Sequence, residues 1–131
     1  MSHTVKIKSQ FKAEHMESFK RALAQFGWQT KENSTIRTYS SDRDRNVVYP
    51  MIAVNPNAGY DLGLKINELT GELEVMGDFY DGSIAKTLGS ELNDLKKEYS
   101  CCVIEDKLAF EGYVATRTVN QDNTIDIMAE N

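Results

Sequence analysis

The sequence predicts an α+β fold in two layers, a mostly antiparallel sheet with two main helices on one face. Two stretches, near 13–26 and 90–111, carry apolar residues at three- and four-residue spacing, which is typical of amphipathic helices. Shorter stretches alternate apolar and polar residues, as half-buried strands do. The links between successive strands are too short for helical crossovers, so we expect antiparallel pairing. A ferredoxin-like β-α-β-β-α-β core with added strands and a C-terminal hairpin is the closest common scheme.

Length and composition indicate a single domain, residues 1–131, with enough chain to bury a core. The hydrophobic fraction of 40% and the charged fraction of 27% are ordinary for a soluble globular protein. No apolar run could span a bilayer and no signal-peptide segment is visible, so we expect a cytoplasmic protein without a membrane partner. The net charge is −5. Nucleic acid is therefore not expected as a partner, because a polyanion is attracted by a broad positive field and this composition does not supply one.

The chain begins with a predicted strand and helix. Residues 4–8 alternate apolar and basic side chains, which predicts a strand with one buried face. A helix follows from about Ala13 and closes at Gly27, because glycine takes the left-handed conformation of a helix end at no steric cost. The apolar stripe of this helix is made of Met16, Phe19, Leu23 and Phe26.

The next strand is predicted to begin at Trp28 and to pair with residues 36–39 across a turn at 33–34. Residues 40–46 carry charges of both signs and are predicted to form a solvated loop. Residues 47–54 form a buried strand that Pro50 assigns to a sheet edge or a bulge, because proline cannot donate a ladder hydrogen bond.

A turn at 56–59 leads into the clearest hairpin of the chain. Its inward apolar positions are Leu62, Leu64, Ile66, Leu73 and Val75. Residues 78–83 form a predicted loop, with Phe79 and Tyr80 folded onto the core, and residues 83–88 form a short helix.

The longest helix is predicted to begin with Ser90 as its N-cap and to end at Gly112. Its apolar face carries Leu92, Leu95, Tyr99 and Val103. We expect Leu95 and Tyr99 to pack against Phe19 and Leu23 of the first helix. Adjacent Cys101 and Cys102 diverge around the helix axis, so neither a disulfide nor a zinc site is expected.

A terminal hairpin is predicted from residues 114–120 and 124–129 around Asp122 and Asn123, a pair that tolerates positive φ. Apart from Arg117, Asp122 and Asp126, little in it discourages association. We expect this hairpin to dock onto its own sheet or to pair with a second subunit, a two-fold dimer being the simplest closed outcome.

Asp61 and Asp78 are the polar pair with the most chemical interest, because they stand at the two ends of the central hairpin. Two close carboxylates would shift each other's pKa or bind a hard cation. The alternative, which we favour, is that each bonds to the backbone of a turn. His3 and His15 are too few and too far apart in sequence for zinc, and no phosphate-binding loop is present, so we expect no metal and no cofactor.

Several short motifs are spread along the chain: Met1-Ser2-His3, Ile7-Lys8, Gln10, Gly27, Tyr60-Asp61-Leu62-Gly63, Asn67, Gly71, Glu72-Leu73, Asp78, Gly112-Tyr113-Val114 and Thr124-Ile125. With these motifs the chain resembles the hypothetical chloroplast reading frame 35 family, also described as domain of unknown function 1257. The resemblance implies an origin in plastids, in cyanobacteria or in phages of such hosts, and a place in the stroma or the host cytoplasm. It carries no catalytic residue over to this chain.

Three classes of function stay open at this point. One is a non-enzymatic binding or regulatory protein that acts through association with a protein partner. The second is an enzyme with an Asp61/Asp78 site. The third is a single-strand nucleic-acid binder that stacks bases on Trp28, Tyr39 or Tyr49. Without a catalytic constellation and with a negative net charge, the sequence favours the first class.

Overall fold

The computed structural model describes residues 5–7, 11–38, 46–79 and 82–131. The strands are β1 (Val5–Ile7), β2 (Gln29–Ser34), β3 (Tyr49–Val54), β4 (Leu62–Ile66), β5 (Leu73–Gly77), β6 (Val114–Val119) and β7 (Ile125–Glu130). The helices are α1 (Met16–Gln25), α2 (Ser83–Leu88) and α3 (Asn93–Phe110), and 3-10 turns at Ala13–His15 and Ser90–Leu92 precede α1 and α3.

The first five strands form one sheet in the order β1-β5-β4-β3-β2, and every neighbouring pair is antiparallel. Helices α1 and α3 pack against each other and share one core with the inward residues of β4 and β5. This arrangement confirms the predicted α+β fold with a helical layer on an antiparallel sheet.

The core between the two helices is the predicted one. Phe19 and Leu23 of α1 are buried with Leu95 and Tyr99 of α3. The rings of Phe19 and Tyr99 both meet Phe11 edge-on, with centroids 4.8 and 4.9 Å away, a favoured aromatic geometry. The spacing of the apolar residues in the sequence therefore identified the buried face of each helix.

The strand order differs from that of a ferredoxin-like sheet, in which one strand separates the two strands of the first β-α-β unit. Here β1 and β2 lie at opposite edges, with three strands between them. Strands β2, β3, β4 and β5 pair in sequence order, and β1 adds beside β5 at the far edge. The terminal hairpin β6–β7 forms its own two-stranded sheet, which corrects the first of its two predicted outcomes, docking onto the main sheet.

The predicted partner of the second strand needs correction. Strand β2 pairs with β3 and not with residues 36–39, of which 36–38 lie outside any strand and Tyr39 lies outside the described residues. Ile36 is buried instead, with Tyr49 and Ile52, in a second apolar cluster. Because Ile36 is buried in that cluster, the segment that contains it does not run beside β2 as the predicted hairpin requires.

Pro50 lies within β3, which has a strand on each side, so it does not mark a sheet edge. The β2–β3 ladder nevertheless skips the position where Pro50 would face Asn33. Asn33 has a φ of 49°, in the left-handed region that asparagine tolerates. The ladder has the same register on both sides of the skipped pair, so no residue is inserted and neither the predicted edge nor the predicted bulge is formed.

Helix α3 begins at Asn93 and not at Ser90, whose side chain makes no capping bond. Glu91 and Leu92 both have positive φ, and Leu92 is fully buried in the core. The two positive φ angles thus turn the chain just before the helix, in the conformation that lets the Leu92 side chain enter the core. At the other end, Gly112 has a φ of 89° and the Tyr113 N–H donates to the Leu108 carbonyl at 2.9 Å, as predicted for a glycine stop.

Candidate functional site

Asp61 directly precedes β4, is buried, and is held by Arg37. The Arg37 Nε and Nη2 donate to its Oδ1 at 2.9 and 2.7 Å, and the Arg37 backbone N–H donates to its Oδ2 at 2.7 Å. The Asp61 N–H returns a bond to the Arg37 carbonyl at 3.1 Å. The side-chain bond to Asp61 raises the pKa of Arg37. The pairing of Asp61 and Arg37 fixes the segment after β2 against the start of β4.

Asp78 directly follows β5 and is completely buried. Leu62 and Gly77 form the terminal pair of the β4–β5 ladder, so Asp61 and Asp78 occupy the next positions on the two strands. A surface groove of about 830 Å³ between α1 and α3 is lined by neither aspartate. With Asp61 bound to Arg37 and Asp78 closed to solvent, the geometry favours structural roles for both.

Trp28 lies just before β2 in the main core and is only 1% exposed. Its Nε1–H donates to Thr87 Oγ1 at 3.0 Å, which ties the indole to α2. Tyr49 is also buried, and its ring lies over Gly63, where an added Cβ would come within 2.8 Å. Neither ring has a free face on which a base could stack, so the structure does not support the predicted binding role of Trp28.

Within the described residues, a metal site and a reactive thiol are two further candidates for a functional centre. Across the described ranges, no three His, Cys, Asp or Glu side chains are arranged to hold a metal ion; His3 lies outside those ranges. Cys101 and Cys102 are free and buried on α3. Burial raises the pKa of the Cys102 thiol to about 11, so this thiol stays protonated and weakly nucleophilic at neutral pH.

The terminal hairpin is anchored on α3 by one arginine between two glutamates. Arg117 of β6 donates to Glu105 through Nε and Nη2 at 2.7 and 2.6 Å. It donates to Glu98 through Nη1 and Nη2 at 2.8 and 2.7 Å. Glu98 and Glu105 lie about two helical turns apart on the same face of α3. Their side chains are 15% and 17% exposed, so the pairs are screened less than surface ion pairs are.

This anchor was missed by sequence reasoning, which treated Arg117 only as a charge that opposes association. The signal that could have found it is the spacing of Glu98 and Glu105 on the helix that leads into the hairpin. The Lys97 ammonium adds a second tie, to the carbonyl of Asn123 in the hairpin turn. The hairpin is therefore fastened to the helix at its middle and at its tip.

The hairpin and the end of α3 that leads into it also carry exposed apolar side chains, which we call the hairpin surface. Its members and their exposed fractions are Phe110 (93%), Tyr113 (38%), Val114 (64%), Val119 (66%) and Met128 (61%). Along β6, Ala115 and Arg117 are half-buried while Val114 and Thr116 are exposed, so one face meets α3 and the other faces solvent. Val114, and Met128 opposite Thr116, lie on the solvent face of the hairpin, and exposed apolar residues on one face are typical of interaction sites.

Comparison of the chain with protein-family models, with curated proteins and with solved structures gives no match. The choice of site therefore rests on the geometry of the chain alone. Within the described part of the chain, no helix has both the length and the apolar character needed to cross a membrane.

Acid is expected to release the hairpin from α3. The hydrogen bonds from Arg117 hold the pKa of Glu98 and of Glu105 below the ordinary glutamate value of 4.5. A depressed folded-state pKa gives stability that is present above 4.5 and is lost as the pH falls through the folded value. NMR shifts of the Ile127 amide should therefore stay constant down to pH 4.5 and change below it. A change centred between pH 6 and 7 would contradict this assignment, because free histidine, not glutamate, titrates there.

Proposed function

We propose that this protein is a non-enzymatic binding or accessory protein that associates with another polypeptide through its C-terminal hairpin. The observation that carries the proposal is that β6–β7 stands apart from the main sheet and pairs, in the described part of the chain, only within itself. Strand edges without a neighbour expose rows of N–H and C=O groups that can bind another strand.

Anchoring and exposure together support this reading. An isolated two-stranded hairpin is marginally stable in water, but packing against a helix stabilises it. The Glu98–Arg117–Glu105 contacts supply that packing while the hairpin surface stays in solvent. A preorganised edge loses less conformational entropy on binding than a mobile segment does. The hairpin is therefore built to stay ordered and accessible.

The proposal extends to family and place. We propose membership in the hypothetical chloroplast reading frame 35 family and a role in the cytoplasm of a cyanobacterium or an infected host, or in a plastid stroma. Support comes from the residues quoted above, of which Gly112, Tyr113 and Val114 lie at the entry to the hairpin. On this view, the motif that resembles the family adjoins the surface proposed to bind.

A capture experiment tests the function. The immobilised protein is exposed to a cyanobacterial extract and, separately, to its own untagged chain. A double variant, Val114→Asp with Met128→Asp, places carboxylates on the hairpin surface. We expect this double variant to lose at least about tenfold of the polypeptide that the wild type retains from the extract, because burying an unpaired charge is costly.

The matched control is Val48→Asp with Leu69→Asp, the same chemical change at two other exposed apolar positions. It should retain the captured polypeptide at the wild-type level. Equal capture by the hairpin variant and the wild type would overturn the proposal, and so would equal loss in both double variants.

A further inference from the structure

The outer edge of β6 has a definite hydrogen-bonding pattern. The Asn120 N–H donates to the Thr124 carbonyl at 2.8 Å and closes the ladder next to the turn. Bonding directions alternate along an antiparallel ladder, so Thr118, Thr116 and Val114 also direct their backbone groups toward β7. The backbone groups of Ala115, Arg117 and Val119 therefore point away from β7, toward the open edge.

Charge distinguishes the two open edges of the hairpin. Strand β7 contains Asp126 and Glu130, so pairing two copies through β7 would gather four carboxylates. Strand β6 contains no carboxylate, and its single charge, Arg117, is already satisfied by Glu98 and Glu105. The β6 strand can thus pair with its own copy without opposing carboxylates of the strand itself.

Symmetry then selects the register. A two-fold axis perpendicular to the hairpin brings the same faces together, so opposed residues share a face. An axis at Thr116 opposes Thr116 with itself, Val114 with Thr118, and Ala115 with Arg117. The outward groups of Ala115 and Arg117 then bond in pairs. An axis at Arg117 would instead oppose two arginines, which is unfavourable.

The register centred on Thr116 also accounts for two exposed side chains. It places Tyr113 of each copy opposite Val119 of the other copy. These residues are 38% and 66% exposed; Tyr113 directly precedes β6 and Val119 is its last residue. An aromatic ring opposite a β-branched side chain is a favourable cross-strand pair, and the two-fold axis makes it twice.

We infer that the hairpin pairs with a second copy of this chain, β6 to β6 with Thr116 on the axis, to form a continuous four-stranded sheet. The inference rests on the proposed function and names its partner. The half-buried face of the joined sheet carries both copies of α3, and the exposed face carries Val114 and Met128 of both copies.

Mixing two charged variants tests the register. Thr116 is exposed in the single chain, so Thr116→Glu and Thr116→Lys should both fold. Like charges opposed across the axis should raise the dimer dissociation constant about fivefold in each variant alone. An equimolar mixture should return to the wild-type value or below it. Sedimentation velocity measures all three, and an unchanged constant in both single variants would overturn the Thr116 axis.

A proline pair tests the edge. Ala115→Pro removes an outward N–H from β6, and Ala129→Pro removes the corresponding N–H from β7, since these two alanines face each other. We expect the Ala115→Pro protein to be monomeric and the Ala129→Pro protein to remain dimeric, with circular dichroism confirming that both are folded. The reverse result would overturn the choice of β6. If Ala115→Pro unfolds the chain, the Thr116 mixture still decides the question.

Failure of the inference can be told apart from failure of the proposed function. A wild-type chain that is monomeric at millimolar concentration overturns pairing with a second copy. If the Val114/Met128 double variant still loses a captured polypeptide from the extract, the hairpin binds a different protein and the proposed function stands. If the double variant loses nothing, the proposed function fails as well.

Discussion

Replacing Leu23 with alanine is expected to lower the free energy of unfolding by about 2–5 kcal/mol. Leu23 is completely buried in the core, together with Phe19, Leu95 and Tyr99. The loss has two parts: the transfer free energy of the deleted carbons, and a cavity that rigid neighbours fill only in part. Ring contacts among Phe11, Phe19 and Tyr99 restrict that filling. Chemical denaturation followed by the fluorescence of Trp28 measures the change, because the indole lies in the same core.

Leu69→Ala is the matched control, since it makes the same chemical change at a position that is 97% exposed. Its effect should stay within about 0.5 kcal/mol of zero, as for most surface substitutions. An unfolding midpoint of the Leu23→Ala protein equal to that of the Leu69→Ala protein would show that α1 does not bury the face described above.

The helices were predictable from the sequence because burial imposes a local period. Residues such as Leu95 and Tyr99 repeat at the interval that puts them on one face, wherever the rest of the chain lies. The start of α3 was not predictable in this way. Ser90 satisfies the local rule for an N-cap, but the core takes up Leu92 and moves the helix start to Asn93. Tertiary packing overrode a capping preference worth roughly 1 kcal/mol.

Strand partners were harder to predict than strands. The turn-forming residues Asn33 and Ser34 suggested a tight hairpin, yet β2 continues through Ser34 and pairs with β3. Local turn chemistry cannot count the buried area that Ile36 gains with Tyr49 and Ile52. The pairing of the central hairpin was predicted correctly because its turn and its two alternating strands agree. The prediction that Ile66 points inward is wrong: it lies at the end of β4 and is 47% exposed.

The candidate site shows the same division. Asp61 stood out in the sequence as a polar residue beside a strand, but its partner Arg37 lies in a segment whose position depends on the whole sheet. Trp28 stood out as the single tryptophan, although large aromatic residues are more often part of a core. Arg117 is half-buried only because α3 and the hairpin meet, and the spacing of Glu98 and Glu105 on α3 does not by itself say which cation lies between them.

Replacing Arg117 with alanine is expected to free the hairpin from α3 while the five-stranded sheet stays folded. The change leaves Glu98 and Glu105 facing each other without the cation that both now share. Removing one partner of a buried charge pair costs about 3–5 kcal/mol, and the partial exposure of these groups reduces that to about 2–3 kcal/mol. Since β6 and β7 pair only with each other in the described residues, the loss falls on the hairpin.

Amide hydrogen exchange resolves the two regions, because Thr116 and Thr118 direct their N–H groups into the hairpin and Leu64 and Val75 lie in the main sheet. In the Arg117→Ala protein, exchange should accelerate by about 30-fold or more at Thr116 and Thr118 and remain nearly unchanged at Leu64 and Val75. Arg21→Ala is the control, because it also removes an arginine side chain that binds α3, but one that belongs to α1 and not to the hairpin. The Arg21 guanidinium donates to Asp106 at 2.7 Å and makes only a long contact, 3.5 Å, with Glu105.

A rescue separates lost attraction from stranded charge. In a background of Glu98→Gln with Glu105→Gln, the added substitution Arg117→Leu should cost less than about 1 kcal/mol, because no uncompensated carboxylate is left. A full-sized loss in that background would mean that the arginine acts through the packing of its carbon chain. Equal acceleration at Leu64 and at Thr116 in the Arg117→Ala protein would show instead that hairpin and sheet unfold together, and the separately anchored hairpin proposed here would be wrong.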